Sequence, residues 1–199
     1  QVARDVAAKT FVLLKNEGNI LPLKKKGKIA LIGPLADTRN NITGTWSVAQ
    51  VPSKYTTIKE AMEHALDGKA TLLYAQGSNI WRNQELQKNG ELGKPINWGD
   101  ETEMKNEALK IAKEADVIVC AMGECADMSG EWFGGSEMGD ALCDVLFGDK
   151  VPSGKLTTSM PKTTGQEPIY YNHQNTGRPV ADENKKFAKI VSNCLDVRK

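Results

Sequence analysis

Hydrophobic and polar residues alternate along this chain in two different periods. Apolar positions at helical spacing predict four helices, at residues 2–16, 57–66, 101–115 and 136–147. Short continuous apolar runs lie between them and predict strands at residues 28–33, 69–75 and 116–122, with a fourth after the turn in 152–160. In the third helix the predicted apolar face consists of Met104, Ala108, Ile111 and Ala112.

The order of these elements predicts an α/β fold. Helices and strands alternate throughout, which is typical of a mostly parallel sheet with helices on both faces. Ligands of such sheets bind beyond the carboxyl ends of the strands. Three loops are expected at that edge: 33–46, 76–98 and 123–135.

Length and charge narrow the class of protein. The chain has 199 residues, enough for one domain with its own core. Its 26 basic and 25 acidic residues give a net charge of +1, so we expect neither nucleic acid nor a membrane as a partner. The chain opens at Gln1 with no initiator Met and no signal-peptide pattern, and we expect its natural start to lie upstream.

The four cysteines do not suggest a metal or cofactor site. They stand at positions 120, 125, 143 and 194, none in a CxxC pair, and the chain has only two histidines. Cys120 lies in an apolar strand run and Cys143 in a helical pattern, so both are expected to be buried. No GxGxxG or phosphate-binding loop follows the first strand, and no cofactor is expected.

The loop after the third strand is the strongest candidate for chemistry. It has the sequence GECADMSGEWFGG and carries Glu124, Asp127 and Glu131. A carboxylic acid at the mouth of a low-dielectric sheet can have its pKa raised, as a general acid requires. The alternative is that these are ordinary solvated acids, and spacing alone favours that alternative.

Aromatic residues offer a second set of candidates. His173 stands among tyrosines and asparagines, a composition that suits contact with a sugar but is also typical of a surface turn. Trp46 and the three other tryptophans could stack on sugar rings, although packing in the core or in loops is an equally good interpretation.

Several segments together resemble one family. They are FVLLKNEGNILPL (11–23), KIALIGPLAD (28–37), GTWS (44–47), ADVIVCAMGE (115–124), GSEMGDALCDVLFGDKVPSGKLTTSMP (135–161) and IYYNHQNTGRP (169–179). In this order they resemble the C-terminal α/β-sandwich domain of family 3 glycoside hydrolases, near the periplasmic β-glucosidase branch. The resemblance covers residues 1–180, and 181–199 would be a tail that leads to a missing C-terminal segment.

The resemblance implies a retaining mechanism shared between two domains. An Asp nucleophile would come from a (β/α) barrel, in the same or another chain, and the sandwich domain would supply a Glu acid/base. The match places Glu131 on that Glu, with Glu124 as the second candidate. Trp46, Asp127 and His173 are our candidates for substrate contact. The substrate would be a terminal β-glucoside or oligosaccharide, and the location periplasmic or secreted.

Two departures from the family lead us to expect an incomplete domain. These 199 residues do not include the barrel that the resemblance implies, and Glu131 is followed directly by Trp132, where the family has further helices and strands, roughly fifty residues at ordinary element lengths. Such a loss would expose apolar faces and leave an open sheet edge. We therefore expect the isolated chain to be marginally stable, prone to aggregate, or stabilised by a partner.

Two other interpretations stay open. The chain could be a non-catalytic carbohydrate-binding or interaction module, as its tryptophan-bearing loops suggest. Alternatively, the join between residues 131 and 132 could have arisen in sequence assembly, which the genomic sequence around it would decide.

Overall fold

Helices and strands follow one another in the order that the hydrophobic pattern predicts. A computed structural model describes residues 1–44, 47, 49–81, 83–85, 98–126 and 134–157. The regular elements are α1 (Val2–Thr10), β1 (Lys28–Ile32), α2 (Ile58–Leu66), β2 (Thr71–Ala75), α3 (Glu101–Glu114), β3 (Val117–Cys120) and α4 (Met138–Phe147), with short 3-10 turns at Glu17–Asn19 and Pro52–Lys54. All of them belong to one compact unit, residues 1–153, and residues 154–199 form a second unit.

The three strands form a parallel sheet in the order β2–β1–β3. Ile29 of β1 is paired with Leu72 on one side and with Val117 on the other. The predicted α/β class, with a mostly parallel sheet and helices on both faces, is therefore confirmed. The fourth predicted strand has no counterpart in residues 151–157, and the rest of its span lies outside the described residues.

One face of the sheet carries the main core. Helix α2 begins with a complete capping box: Thr57 accepts from the Glu60 N–H, and the Glu60 side chain accepts from the Thr57 N–H. Helix α4 packs against both α2 and α1 on this side. The buried residues of this core are Leu23, Ile29, Leu31, Ala36, Ile58, Ala61, Met62, Leu66, Cys143 and Phe147.

The opposite face is covered by α3. This helix packs against β2 and β1, and none of its residues is fully buried. Its half-buried positions are Met104, Ala108, Ile111 and Ala112, the four residues predicted as its apolar face. Alternation along β3 directs Val117 and Val119 to the main core, so Ile118 and Cys120 face the other way.

Two sequence predictions are wrong in detail. Helix α1 ends at Thr10 rather than at residue 16, because Phe11 is already extended and the Thr10 hydroxyl donates to the Ala7 carbonyl. Cys120, predicted to be buried, is exposed, because α3 packs over β2 and β1. Cys143 is buried as expected.

In the described part of the chain, no helix combines the length and apolar character that crossing a membrane requires.

Candidate active site

The ends of β1 and β3 lie in direct contact at the carboxyl edge of the sheet. The Ala121 N–H donates to the Ile32 carbonyl at 2.8 Å. Gly33 follows with φ +145, and a Cβ added there would lie 2.2 Å from the Ala121 carbonyl oxygen. Only glycine fits such a close backbone approach. The loops that leave these two strands therefore start side by side.

The loop after β1, residues 33–44, is fixed to the start of α2. The Lys59 N–H donates to the Ala36 carbonyl at 2.9 Å, and the Thr57 hydroxyl donates to the Asp37 carboxylate at 3.0 Å. The Lys59 ammonium forms an ion pair with the same carboxylate at 3.3 Å. A second pair joins Arg39 to Glu60. These contacts make the loop an ordered platform.

A charged and aromatic cluster borders this platform. The Lys59 ammonium lies 5.2 Å from the centre of the Tyr74 ring, within the range of a cation–π contact. Partial burial raises the pKa of the Tyr74 hydroxyl, and the carboxylates of Asp37 and Glu107 raise it further. Tyr74 is therefore a neutral hydrogen-bonding group at neutral pH.

The loop after β3 lies against the platform at both of its ends. Before the undescribed residues 127–133, the Ala126 N–H donates to the Asn41 side-chain oxygen at 2.9 Å. After them, the Gly135 N–H donates to the Ile42 carbonyl at 3.2 Å. Sequence reasoning expected these two loops at one edge, because parallel strands place their carboxyl ends together. It did not single out Asn41.

The third loop at this edge has a closed base. The Asn79 side chain donates to the Gly99 carbonyl at 2.8 Å and accepts from the Gly99 N–H at 3.1 Å. Trp81 and Trp98, at the two ends of the undescribed residues 86–97, are half-buried. Both positions leave part of the ring accessible.

Of the predicted site residues, the structure describes Glu124. Its side chain is exposed, and it is followed by the buried residues Cys125 and Ala126. The other four lie outside the described residues, and their roles stay predictions: Glu131, Asp127, Trp46 and His173. Among the described residues, no group of three or more His, Cys, Asp or Glu side chains could hold a metal ion.

Comparison with known proteins identifies the family. The family model described as the glycosyl hydrolase family 3 C-terminal domain matches residues 11–131 and 130–189. The chain belongs to glycosyl hydrolase family 3. The match confirms the resemblance that the sequence motifs suggested, and the matched residues cover most of the chain.

Individual members of family 3 give the same result. The periplasmic beta-glucosidase of Salmonella typhimurium is 35% identical over 98% of this chain, which corresponds to 32% of that protein. Thermostable beta-glucosidase B of Acetivibrio thermocellus is 29% identical over 86% of the chain and 27% of its own length. The crystal structure of a Listeria innocua beta-glucosidase with glucose superposes with a TM-score of 0.70 at 27% identity, covering 97% of this chain and 31% of that one. The chain thus spans about a third of the length of these relatives.

The family comparison also bears on the expected internal shortening. The two matched segments meet at residues 130–131. The alignment with the Salmonella protein extends over 249 positions although the chain has 199 residues, so at least 50 positions have no counterpart here. An internal shortening would produce both observations, and the shortening after Glu131 itself stays a prediction.

Proposed function

We propose that this domain supplies the acid/base carboxylate, Glu131, of a β-glucosidase-like glycoside hydrolase that removes terminal β-linked glucose. The main support is family membership together with the position of the loop after β3 at the carboxyl edge of the sheet. The relatives carry the name beta-glucosidase, and one of them is periplasmic. A periplasmic or secreted location is part of the proposal.

The chemistry requires a second carboxylate from elsewhere. In a retaining mechanism the acid protonates the glycosidic oxygen while a nucleophilic carboxylate, roughly 5 Å away, attacks the anomeric carbon. The same Glu then takes a proton from the water that hydrolyses the glycosyl-enzyme intermediate. The nucleophile Asp belongs to the barrel domain in this proposal, so this chain alone is expected to be inactive.

Glu124 is the competing candidate for the same role. Its exposed side chain leaves it accessible to a sugar. It stands seven positions before Glu131 in the same loop. The variants Glu131→Gln and Glu124→Gln therefore decide the assignment, because glutamine has the shape of glutamate but no acidic proton to transfer to the leaving group.

The decisive experiment combines this chain with a separately produced barrel domain from a family 3 β-glucosidase. Two aryl β-glucosides are compared, one with a poor phenol leaving group and one with a dinitrophenol, which departs without protonation. We expect turnover of both only with the two components together. Glu131→Gln should lower kcat/KM on the poor leaving group by about 10²–10⁴-fold and much less on the dinitrophenyl glucoside, because kcat/KM reports the step in which the leaving oxygen is protonated.

Each result of this experiment has a definite meaning. The same selective loss in Glu124→Gln, with Glu131→Gln unaffected, would assign the acid/base role to Glu124. No turnover by the mixture, with glucose still quenching tryptophan fluorescence at millimolar concentration, would replace the proposal by a carbohydrate-binding module.

A further inference from the structure

Two consecutive residues of the platform, Asn41 and Ile42, bind the described flanks of the loop that carries the proposed acid/base residue. Asn41 is 7% exposed and lies in the platform loop after β1. Its Oδ1 accepts from the Ala126 N–H at 2.9 Å, a contact between residues 85 positions apart. Because Ala126 is itself buried, this bond replaces water at a main-chain donor inside the protein.

Asn41 is oriented before it meets Ala126. Its Nδ2 donates to the Thr38 hydroxyl oxygen at 2.9 Å within the same loop. An amide that uses its nitrogen in one direction must present its oxygen in the other, so Thr38 directs Oδ1 toward the Ala126 N–H. Both Thr38 and Asn41 are buried, which removes competition from solvent.

The adjacent residue holds the other end. Ile42, 2% exposed, accepts from the Gly135 N–H through its carbonyl oxygen at 3.2 Å. Consecutive residues of the platform thus bind residues 126 and 135, the two flanks of the segment that contains Glu131. The platform in turn is fixed to α2 through Asp37 and Lys59.

We propose that Asn41 is a positioning residue that sets the orientation of the loop bearing Glu131. The inference rests on the function proposed above for Glu131. Proton transfer to a leaving oxygen demands hydrogen-bond distance, and a displacement of about 1 Å can cost on the order of 100-fold in rate. Asn41 acts on that distance through Ala126 rather than by touching the substrate.

The first test is hydrogen exchange on the full chain, which needs no substrate. In Asn41→Leu, which has a similar volume but no hydrogen bond, we expect the Ala126 amide to exchange at least tenfold faster, while the Val119 amide in β3 is unchanged. Asn41→Asp keeps an acceptor for Ala126 and should retain protection, with the Thr38 hydroxyl now donating. Asn79→Leu is the matched control, since Asn79 closes a different loop through Gly99.

The second test uses the mixture with the barrel domain and the same pair of aryl glucosides. Asn41→Leu should lower kcat/KM on the poor leaving group at least tenfold more than on the dinitrophenyl glucoside, because kcat/KM reports the step in which the leaving oxygen is protonated. Asn41→Asp should recover most of that loss, and Asn79→Leu should show no preference between leaving groups.

The two tests fail in different ways. Unchanged Ala126 exchange in Asn41→Leu, or equal loss on both substrates, would overturn the positioning role while leaving the Glu131→Gln result intact. If the wild-type mixture shows no turnover, the proposed function fails. Faster exchange at Ala126 in Asn41→Leu then shows that the Asn41–Ala126 hydrogen bond is a structural contact alone, and the catalytic positioning role fails with the proposed function.

Discussion

The two faces of the sheet differ sharply in how well they are covered. On one face, α2 and α4 enclose a core in which Leu31 and Met62 have no exposed surface. On the other, α3 lies over β1 and β2, and Ile118 and Met122 of the β3 region are 48% and 64% exposed. Burial of apolar surface is the main source of stability, so the first face contributes more to the stability of the fold than the second.

The difference is relevant to the proposed internal shortening of the domain. The exposed apolar residues of the weakly covered face belong to the β3 region. Strand β3 is an edge strand of the described sheet. At least 50 alignment positions of the Salmonella relative have no counterpart in this chain, and the family match breaks at residues 130–131, soon after β3. We propose that the residues without a counterpart include a strand–helix block that would cover this edge and this face.

The largest expected effect is on the well-covered face. Met62→Ala should lower the free energy of unfolding by about 2–5 kcal/mol, because it removes a fully buried side chain and leaves a cavity. Met104→Ala in α3 is the matched control, because it makes the same change at a half-buried position of the other face, and it should cost less, about 0.5–2 kcal/mol. Urea unfolding followed by circular dichroism measures both. Equal costs would mean that the two faces are packed equally well.

A second prediction concerns the contact between α4 and the start of α2. Glycine in a helix interior usually lowers the stability of the helix, relative to alanine, by up to about 1 kcal/mol. At Gly139 an added Cβ would lie 2.6 Å from the Thr56 carbonyl oxygen and 2.8 Å from that of Thr57. Gly139→Ala should therefore destabilise the chain by about 1–3 kcal/mol, as overpacking does. A higher melting temperature for Gly139→Ala would contradict this prediction, because it would show that the contact between α4 and the start of α2 can accommodate a methyl group.

A third prediction uses the thiol on the buried face. Burial raises the pKa of Cys143 from 9.0 to about 12, and the carboxylates of Asp140 and Asp144 add to the effect. As pH rises, the Cys143 thiol loses its proton at a lower pH in the unfolded chain than in the folded chain. Its contribution to the free energy of unfolding is therefore complete below pH 9 and is lost as pH rises toward 12, at up to about 1.4 kcal/mol per pH unit.

Urea unfolding at several values of pH tests this. Wild type should lose stability above pH 9 more steeply than Cys143→Ala, whose unfolding free energy lacks this dependence. Cys120→Ala, which leaves Cys143 in place, should keep the steep loss of stability above pH 9. Parallel curves for wild type and Cys143→Ala would contradict the prediction.

The smallest expected effect on stability is on the open face. Ile118→Thr keeps a β-branched side chain in the strand and should change the unfolding free energy by no more than about 0.5 kcal/mol. It should reduce self-association, measured by light scattering at rising protein concentration, because it removes apolar surface beside a free edge. Val119→Thr, on the core side of the same strand, should instead destabilise the chain.

Local signals predicted much of this fold. The span of α2, the four residues on the apolar face of α3 and the burial of Cys143 follow from patterns within a few residues of each other. Such patterns report the period and the ends of an element, and these depend on neighbours in sequence.

Features that depend on distant neighbours were missed. The apolar run of β3 is typical of a strand covered on both sides, yet Cys120 is exposed, because hydrophobicity shows what a strand can bury and not what is present to bury it. Asn41 sits in a polar loop with no periodicity, and its partner Ala126 lies 85 positions away. The position of the loop after β3 at the carboxyl edge of the sheet could be predicted from the sequence. The hydrogen bond from this loop to the Asn41 side chain could not.

The attachment of α1 has a consequence for the order in which the chain folds during synthesis. Arg4 binds Asp144 through two hydrogen bonds, across 140 positions of sequence. A nine-residue helix is unstable alone in water, so α1 depends on this docking. At about 5–20 residues per second, a ribosome needs roughly 7 to 28 seconds to make the intervening chain. Among the described helices, α1 is synthesised first and is thus among the last to be secured.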